Sequence, residues 1–275
     1  MNVREPQYEL AVSRDSVELW SDVRLPFEPK GTMKQARDAL RKAVRSLVVD
    51  DGHWLAADYV SAQLAFVDLE NVLFYNVGTS VFSALVAPGL TARRIYHEPR
   101  LSPTRCEYPH YQRYKMDPVV PLAESDALLT FGCPPLTSAT KPHHVWWAAS
   151  RGSVAGTAEV PGRYWLDVLL PGSASLNLAA SMKPLLDGII SALHQVHELD
   201  HVAIERLSRV ARWSESEVIE RLRRPAAPIL GSRSVVRSYR EFIKWDPADD
   251  MCDGFTLRSS GNDDLCRVWV RGSDV

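Results

Sequence analysis

The most informative part of the sequence is residues 163–207, RYWLDVLLPGSASLNLAASMKPLLDGIISALHQVHELDHVAIERL. Its first part, residues 163–170, is rich in aromatic and branched apolar side chains and predicts a β-strand. A turn of Gly, Ser and Asn follows, and the apolar spacing beyond it predicts a helix over residues 181–197 with Ser181 as the N-cap. A strand that leads into an amphipathic helix indicates a sheet with helices packed on it.

The predicted helix has two contrasting faces at about 100° per residue. The apolar face carries Leu185, Leu186, Ile189, Leu193 and Val196. The polar face carries Lys183, Asp187, His194, Glu198 and His201. One continuous helix would present a cation, acids and imidazoles in a row. The alternative is a solvated face on which Lys183 and Asp187 form an ordinary i,i+4 ion pair.

Outside this stretch, short strands alternate with helices. Helices are predicted over residues 32–49, with Thr32 as N-cap, and over residues 214–223, where Ser214 and Glu217 match a capping box. Strands are predicted at residues 17–25, 59–66, 81–86, 144–149, 254–257 and 265–270. The last two are expected to form a C-terminal β-hairpin across SSGNDD. The sequence therefore predicts the α+β class, with a mixed sheet of short strands and three main helices.

Composition bounds the class of protein and its domain organisation. The 275 residues are 45% hydrophobic and 24% charged, as in ordinary globular proteins. Prolines interrupt every regular pattern between residues 99 and 142. The chain is expected to be a single domain over residues 1–275 or two tightly joined halves with a seam at residues 132–142.

Net charge and the lack of targeting signals limit the classes of partner that the chain is expected to bind. The formal net charge of −2 excludes a global positive field, so DNA or RNA would have to bind through a local basic patch. No apolar run approaches the roughly 20 residues of a membrane span, and the first residues lack the pattern of a secretion signal. The four cysteines have no CxxC spacing and are expected to be reduced. We expect a cytoplasmic protein with no membrane partner.

A short metal-binding pattern lies at residues 197–201, where HELDH matches HExxH. On a helix, this spacing places His197 and His201 on one Zn²⁺ ion and Glu198 beside the bound water. Glu217 or Glu220 is one candidate for the third ligand. The pattern predicts a zinc-dependent hydrolase.

The variant HELDH, with Asp in fourth place, resembles the motif of peptide deformylases. In that family a cysteine within Gly-Cys-Leu-Ser completes the zinc site. Gly132-Cys133 is present in this chain, although two prolines follow it in place of Leu-Ser. The resemblance implies that Cys133 joins His197 and His201 as a zinc ligand.

A second resemblance covers more of the chain. The predicted strand, the polar turn, the helix MKPLLDGIISAL, an acidic segment and VAIERL together are similar to RusA-type Holliday-junction resolvases. In that family a strand leads to Asp-x-Asp-Asn, a helix carries Lys and Asp, and an Asp-Asp pair precedes the next strand. Lys183 and Asp187 match the helix positions, while Asp200 matches one member of the pair and His201 replaces the other. The resemblance implies an Mg²⁺-dependent nuclease site that acts on branched DNA.

The chain departs from this family pattern at two acidic positions. Asn177 and Ala179 stand where the first two acids belong, and a two-metal nuclease needs those carboxylates to hold its cations. Earlier in the chain, Asp68-Leu69-Glu70-Asn71 follows a predicted strand in the missing order. Asp68 and Glu70 are therefore candidates to reach the site from the other half, and a strand end that turns into a loop is the alternative.

From the sequence we expect a nucleic-acid-associated protein with a RusA-like core, impaired as a nuclease and acting with other protein subunits. An HExxH zinc hydrolase and a non-catalytic interaction module are the alternatives. Residues 207–224 also suggest a helix-turn-helix, with Arg221, Arg223 and Arg224 available for phosphates.

Overall fold

A computed structural model describes most of the chain. The described residues are 5–61, 67–87, 89–95, 108–119, 126–156, 159–160, 162–172, 178–259 and 264–273. Cys106 and Asn177 lie outside them. Every helix in the described residues is too short or too polar to span a bilayer.

The described residues contain strands and helices in almost equal measure, which confirms the α+β class. The strands are β1 Tyr8–Val12, β2 Ser16–Ser21, β3 His53–Ser61, β4 Gly89–Ile95, β5 His110–Pro118, β6 Leu129–Gly132, β7 Ser153–Val154, β8 Tyr164–Leu170, β9 Val236–Tyr239, β10 Phe242–Trp245, β11 Cys252–Ser259 and β12 Leu265–Gly272. The α-helices are α1 Gly31–Val44, α2 Pro142–Ala149, α3 Leu178–Ala192, α4 His201–Ala211 and α5 Glu215–Arg223. A π-helix spans Asn71–Tyr75, and 3-10 helices span Thr79–Val81 and Asp249–Met251.

Within the described residues, ten strands form one sheet in the order β1-β2-β5-β3-β4-β11-β8-β12-β6-β7. Two neighbouring pairs, β3 with β4 and β8 with β11, are parallel. The other neighbours in the sheet are antiparallel. The predicted mixed sheet is therefore confirmed, and β9 and β10 form a separate two-stranded ribbon.

The sheet contains a structural repeat that we did not detect in the sequence. In a first unit, β2, β3, β4 and β5 lie in the spatial order β2-β5-β3-β4. In a second unit, β6, β8, β11 and β12 lie in the order β6-β12-β8-β11, with the same relative directions. The units meet where β4 and β11 run antiparallel, with Thr91 opposite Thr256, as a two-fold relation requires.

The helices follow the same correspondence. Helix α1 connects β2 to β3 as α2 and β7 connect β6 to β8, and the π-helix lies between β3 and β4 as α3 lies between β8 and β11. The change of unit falls between Pro118 and Leu129. Residues 133–141, inside the predicted seam at 132–142, join β6 to α2 within the second unit. Both units contribute to one hydrophobic core.

Several local predictions are wrong. Residues 144–149 belong to α2 and not to a strand, and residues 81–86 form helical and other turns. The two C-terminal strands are confirmed, but their predicted hairpin is wrong because β8 lies between β11 and β12.

The predicted helices exist with shifted ends. Helix α1 begins one residue before Thr32 and ends at Val44, so Thr32 is not its N-cap. Helix α3 begins before Ser181, whose hydroxyl donates to the Thr137 carbonyl at 3.1 Å. The capping box of Ser214 and Glu217 at the start of α5 is confirmed.

The apolar face predicted for residues 181–197 is buried as expected. Each of its five side chains is at most 2% exposed: Leu185, Leu186, Ile189, Leu193 and Val196. Helix α2 packs so closely on α3 that a Cβ atom at Gly188 would lie 2.6 Å from Val145 Cβ and 2.7 Å from the Pro142 carbonyl oxygen. This contact fixes α2 against α3.

Candidate functional site

Lys183 lies among four carboxylates that come from both units. Its Nζ is 2.7 Å from Glu70 Oε1 and 3.1 Å from Asp187 Oδ1. The same nitrogen is 3.3 Å from Asp249 Oδ2 and 3.7 Å from Asp68 Oδ2. Asp68 and Glu70 belong to the first unit, and the other three residues belong to the second. We call these five residues the Lys183 cluster.

The first unit supplies its two acids directly before the π-helix. The segment that follows β3 carries Asp68 and Glu70 into the π-helix, and Asn71 Nδ2 donates a hydrogen bond to Asp68 Oδ2. Glu70 is only 2% exposed, whereas the Asp68 side chain is 31% exposed. Short π-helical turns are rare and frequently occur at functional sites. Glu70 thus forms the floor of the cluster and Asp68 its solvent side.

The second unit supplies Lys183 and Asp187 from α3, where i,i+4 spacing places them on one face. Pro184 lies between them and has no amide hydrogen, so the Ala180 carbonyl cannot accept the usual helical bond from that residue. The Tyr75 hydroxyl of the first unit donates to this carbonyl at 3.3 Å. The proline therefore helps to join α3 to the first unit at the cluster.

Asp249 was missed in the sequence. It begins the 3-10 helix that leads into β11, and its Oδ1 accepts a hydrogen bond from the Asp250 amide at 3.1 Å. The signal was present, because Asp249-Asp250 is an acidic pair that only Met251 separates from strand β11.

Burial and mutual repulsion shape the charges in the cluster. Burial, then Glu70 and Asp68, raise the pKa of Asp187 to about 7 despite the attraction of Lys183. Burial, then Glu70, raise the pKa of Asp249 to about 8. Burial also raises the pKa of Glu70. Burial alone would lower the pKa of Lys183, but the carboxylates outweigh it and raise it, so the ammonium stays charged. With these pKa values, Asp187 and Asp249 are partly protonated near neutral pH, and a cation placed beside them would favour their charged forms.

Three of the acids could share a metal ion. In the part of the chain that the structure describes, one group of His, Cys, Asp or Glu residues meets this condition, namely Asp68, Glu70 and Asp249. One oxygen from each lies within 4.8 Å of the other two. Carboxylate oxygens suit Mg²⁺, Mn²⁺ or Ca²⁺ better than a soft metal.

The HExxH residues do not have the geometry of a zinc site. Helix α3 ends at Ala192 and α4 begins at His201, so the motif does not lie on one helix. His197, Glu198 and His201 are exposed, and together with Cys133 they form no metal-binding group among the described residues. The prediction of one helical polar face through these residues is therefore wrong.

His194 of that predicted face and Cys133, the third predicted zinc ligand, have structural partners elsewhere. His194 is buried, with Nδ1 3.2 Å from the Gly231 carbonyl oxygen. Cys133 lies against the buried thiol of Cys266. Neither side chain belongs to the Lys183 cluster.

Asp200 is also outside the cluster. It is the N-cap of α4, where Oδ1 accepts from the Ala203 amide at 3.0 Å, and its Oδ2 accepts from the Ser238 amide at 2.7 Å and hydroxyl at 2.8 Å. The bonds from Ser238, then that from Ala203, lower the pKa of Asp200 to about 2. The Asp200 side chain does not contact the Lys183 cluster, so its predicted catalytic role is not supported. Its hydrogen bonds fix β9 to α4.

A cavity of about 410 Å³ opens beside the cluster and includes Asp68 and Asn71 in its wall. Two exposed side chains of the segment between β2 and α1, Arg24 and Phe27, also line it. A larger cavity of about 830 Å³ lies in the second unit around Trp147 and Trp213, but none of its described lining residues is acidic. The acidic chemistry is therefore at the smaller cavity.

Comparisons with protein-family models, curated proteins and solved structures find no match to this chain. Function must therefore be argued from the site itself.

Proposed function

We propose that this chain is a nucleic-acid-associated protein whose Lys183 cluster binds a divalent cation and hydrolyses a phosphodiester bond. The observation that carries the proposal is the group of three carboxylates, from both units, within 4.8 Å of one another and in contact with Lys183. We expected an impaired nuclease because Asn177 and Ala179 are not acidic. Asp68 and Glu70 offset that loss, since they bring two carboxylates to the same lysine from the first unit.

The arrangement supports the resemblance to RusA-type resolvases, because it adds Asp68, Glu70 and Asp249 to the matching residues Lys183 and Asp187. The Asp-x-acid-Asn order of residues 68–71 meets the helical pair of Lys183 and Asp187. The acidic pair before the next strand is Asp249-Asp250. Motif parts that the family carries in one segment are here contributed by two units.

The cluster fits a hard divalent cation. Asp68, Glu70 and Asp249 offer oxygen donors, and Mg²⁺ completes such partial sites with its own waters. A bound cation would supply stabilisation of the negative charge that develops on a phosphoryl group.

The remaining polar groups have positioning roles in this proposal. Asp187 holds the Lys183 ammonium at 3.1 Å, and Asn71 holds the Asp68 carboxylate. The Lys183 ammonium donates its three hydrogens to Glu70, Asp187 and Asp249, so its role in this proposal is to hold these carboxylates in place. Arg24, in the wall of the adjoining cavity, is placed to contact a phosphate.

The proposal is tested by cleavage of labelled four-way junction, duplex and single-stranded DNA with Mg²⁺ or Mn²⁺. Asp68→Asn should lower the rate by about 100-fold or more, because losing a metal ligand exceeds the 10- to 100-fold loss typical of outer-shell changes. Asp38→Asn is the matched control, since Asp38 is an exposed acid on α1 that pairs with Lys34. Cleavage by Asp68→Asn at the parental rate, or cleavage that persists in EDTA, would refute the composite site.

The same geometry favours one second candidate. Because Lys183 contacts all four carboxylates, the cluster can also serve as a buried ion network that joins the two units without catalysis. That candidate expects no heat of Mn²⁺ binding in titration calorimetry and no cleavage of any substrate. An association with other protein subunits stays a prediction.

A further inference from the structure

The second unit contains an insertion that the first unit does not match. In the first unit, 13 residues (76–88) connect the π-helix to β4. In the second unit, the connection from α3 to β11 includes α4, α5 and the β9–β10 ribbon. We call residues 201–245 the insertion. It is an addition to the repeated core and is not needed to complete the sheet.

The insertion has more basic than acidic residues, and three of its cations pair with acids just outside it: Arg237 and Lys244 with Asp246, and Arg233 with Asp250. The insertion contains ten Arg and Lys residues and five Glu residues, with no Asp, and so has a net charge of +5. The whole chain has a net charge of −2, so the remainder carries −7. A polyanion is therefore attracted to this part of the surface and repelled by the rest.

The tip of the β9–β10 ribbon exposes two aromatic rings beside a cation. Tyr239 ends β9 and Phe242 begins β10, and they face each other across the Arg240-Glu241 turn. Tyr239 is 54% exposed and Phe242 is 69% exposed. The Arg240 guanidinium lies 5.4 Å from the centre of the Tyr239 ring. Aromatic rings interleaved with cations are the usual means of holding unstacked bases and their phosphates.

The turn keeps Arg240 in a costly conformation. Its φ of 50° lies in the left-handed region that normally favours Gly or Asn. Such residues persist only where the surroundings hold them and often mark functional positions.

The tip is rigidly attached to α4. Arg206 Nη1 donates to the Arg240 carbonyl at 2.5 Å and to the Phe242 carbonyl at 3.2 Å. Asp200 accepts two hydrogen bonds from Ser238. A surface that is already ordered loses little entropy when it binds a partner.

The ribbon is also connected to the cluster. Strand β10 ends at Trp245, four residues before Asp249. Trp245 packs against Trp146 of α2 with ring centres 5.7 Å apart. Arg233, just before β9, lies 3.5 Å from Asp250. The ribbon and Asp249 thus belong to one segment, residues 233–250, which contacts α2 through Trp245.

We propose that the ribbon tip, Tyr239, Arg240 and Phe242, binds nucleic acid at unstacked bases, with the rings against the bases and Arg240 on a phosphate. The choice of nucleic acid as the partner rests on the proposed function. The choice of the binding surface rests on the exposed side chains of the ribbon tip. A continuous duplex hides the faces of its bases, whereas a single strand or a branch point exposes them. We therefore expect single-stranded and branched DNA to bind more tightly than duplex.

The test is fluorescence anisotropy with a labelled oligothymidine, a four-way junction and a duplex over a range of salt concentrations. Phe242→Ala and Tyr239→Ala should each weaken oligothymidine binding by about 5- to 100-fold without changing the salt slope, because they remove stacking but no charge. Arg240→Ala should lower the salt slope by about one. Val210→Ala is the control, because Val210 is 63% exposed on α4 of the same insertion. This variant should bind DNA as the parent does.

The outcomes separate this proposal from the proposed function. Parental affinity in both aromatic variants, or no parental binding to any of the DNAs at low salt, would overturn the ribbon proposal. Binding of anionic lipid vesicles without DNA binding would overturn it in favour of a membrane surface. If the aromatic variants lose binding but the parent never cuts, the ribbon proposal holds and the catalytic one fails. Unchanged thermal melts would show that the variants are folded.

Discussion

The two units of the sheet share their strand order and differ in what they carry. The first connects β3 to β4 through a short π-helix and contributes Asp68 and Glu70. The second connects β8 to β11 through a 15-residue helix and a basic insertion, and it contributes Lys183, Asp187 and Asp249. The shared strands provide the scaffold, while the unlike connections provide the chemistry. Neither unit holds the cluster alone.

The largest expected effect comes from breaking the link between the units at Lys183. Lys183→Met removes the cation from four carboxylates, of which Glu70, Asp187 and Asp249 are buried. We expect a loss of about 3–5 kcal/mol in the free energy of unfolding, as for other buried ion pairs deprived of one partner. Urea denaturation at neutral pH measures the change.

The matched control for this change is Lys34→Met. Lys34 forms an exposed i,i+4 pair with Asp38, which should contribute only about 0.3–0.5 kcal/mol. Recovery of the Lys183→Met melting temperature by Mn²⁺ would sharpen the comparison, because a cation would then replace the lysine between the units. A variant as stable as the parent would mean that the cluster does not hold them together.

A smaller effect is expected within the second unit alone. Gly188→Ala would press a Cβ atom against Val145 and the Pro142 carbonyl at the α2–α3 contact. We expect destabilisation by about 1–3 kcal/mol, the usual range for overpacking. Gly132→Ala serves as control, because no atom lies within 4 Å of the added methyl group. Equal melting temperatures for the two variants would mean that the helices can separate without cost.

The smallest effect concerns the insertion. Asp200→Ala removes the N-cap of α4 and should cost about 0.5–2 kcal/mol near neutral pH. The pKa of this carboxyl falls from the ordinary 3.8 to about 2 on folding, so its contribution is present above pH 3.8 and is lost as the pH falls towards 2. Parent and variant should therefore converge in acid. Asp126→Ala, at an exposed loop position, should differ little from the parent at any pH.

The local patterns in the sequence were sufficient for part of the fold and the site. The burial of Leu186 and its neighbours on α3, the capping box at Ser214 and the pairing of Lys183 with Asp187 all follow from helical spacing, and all are found. Asp68 and Glu70 could be suspected because their order matches a motif part that was missing elsewhere. These inferences needed only neighbouring residues.

Other features depend on contacts between distant segments. The helix at α3 stops at Ala192 because the next residues pair elsewhere: the Gln195 amide donates to Gly231 at 3.1 Å and the Val196 amide to Leu222 at 2.9 Å. That interruption removes the helical geometry expected for HExxH. Residues 144–149 have strand-forming side chains, yet packing against α3 holds them in a helix. The repeat likewise exists in the order, directions and connections of the strands, which local periodicity does not encode.

The two-fold relation at β4 and β11 also offers a second position for a cluster, and the sequence leaves it without acids. Residues 171–180, which follow β8 as Asp68 and Glu70 follow β3, contain no Asp or Glu. Residues 76–88, which lead to β4, contain no Asp, Glu or Lys. A symmetric pair of clusters would contact both strands of a duplex in the same way. A chain with one cluster can contact only one of the two strands at a time. If one chain acts alone and cuts through this cluster, it nicks a single strand per encounter, and a supercoiled plasmid should accumulate as an open circle before any linear form appears.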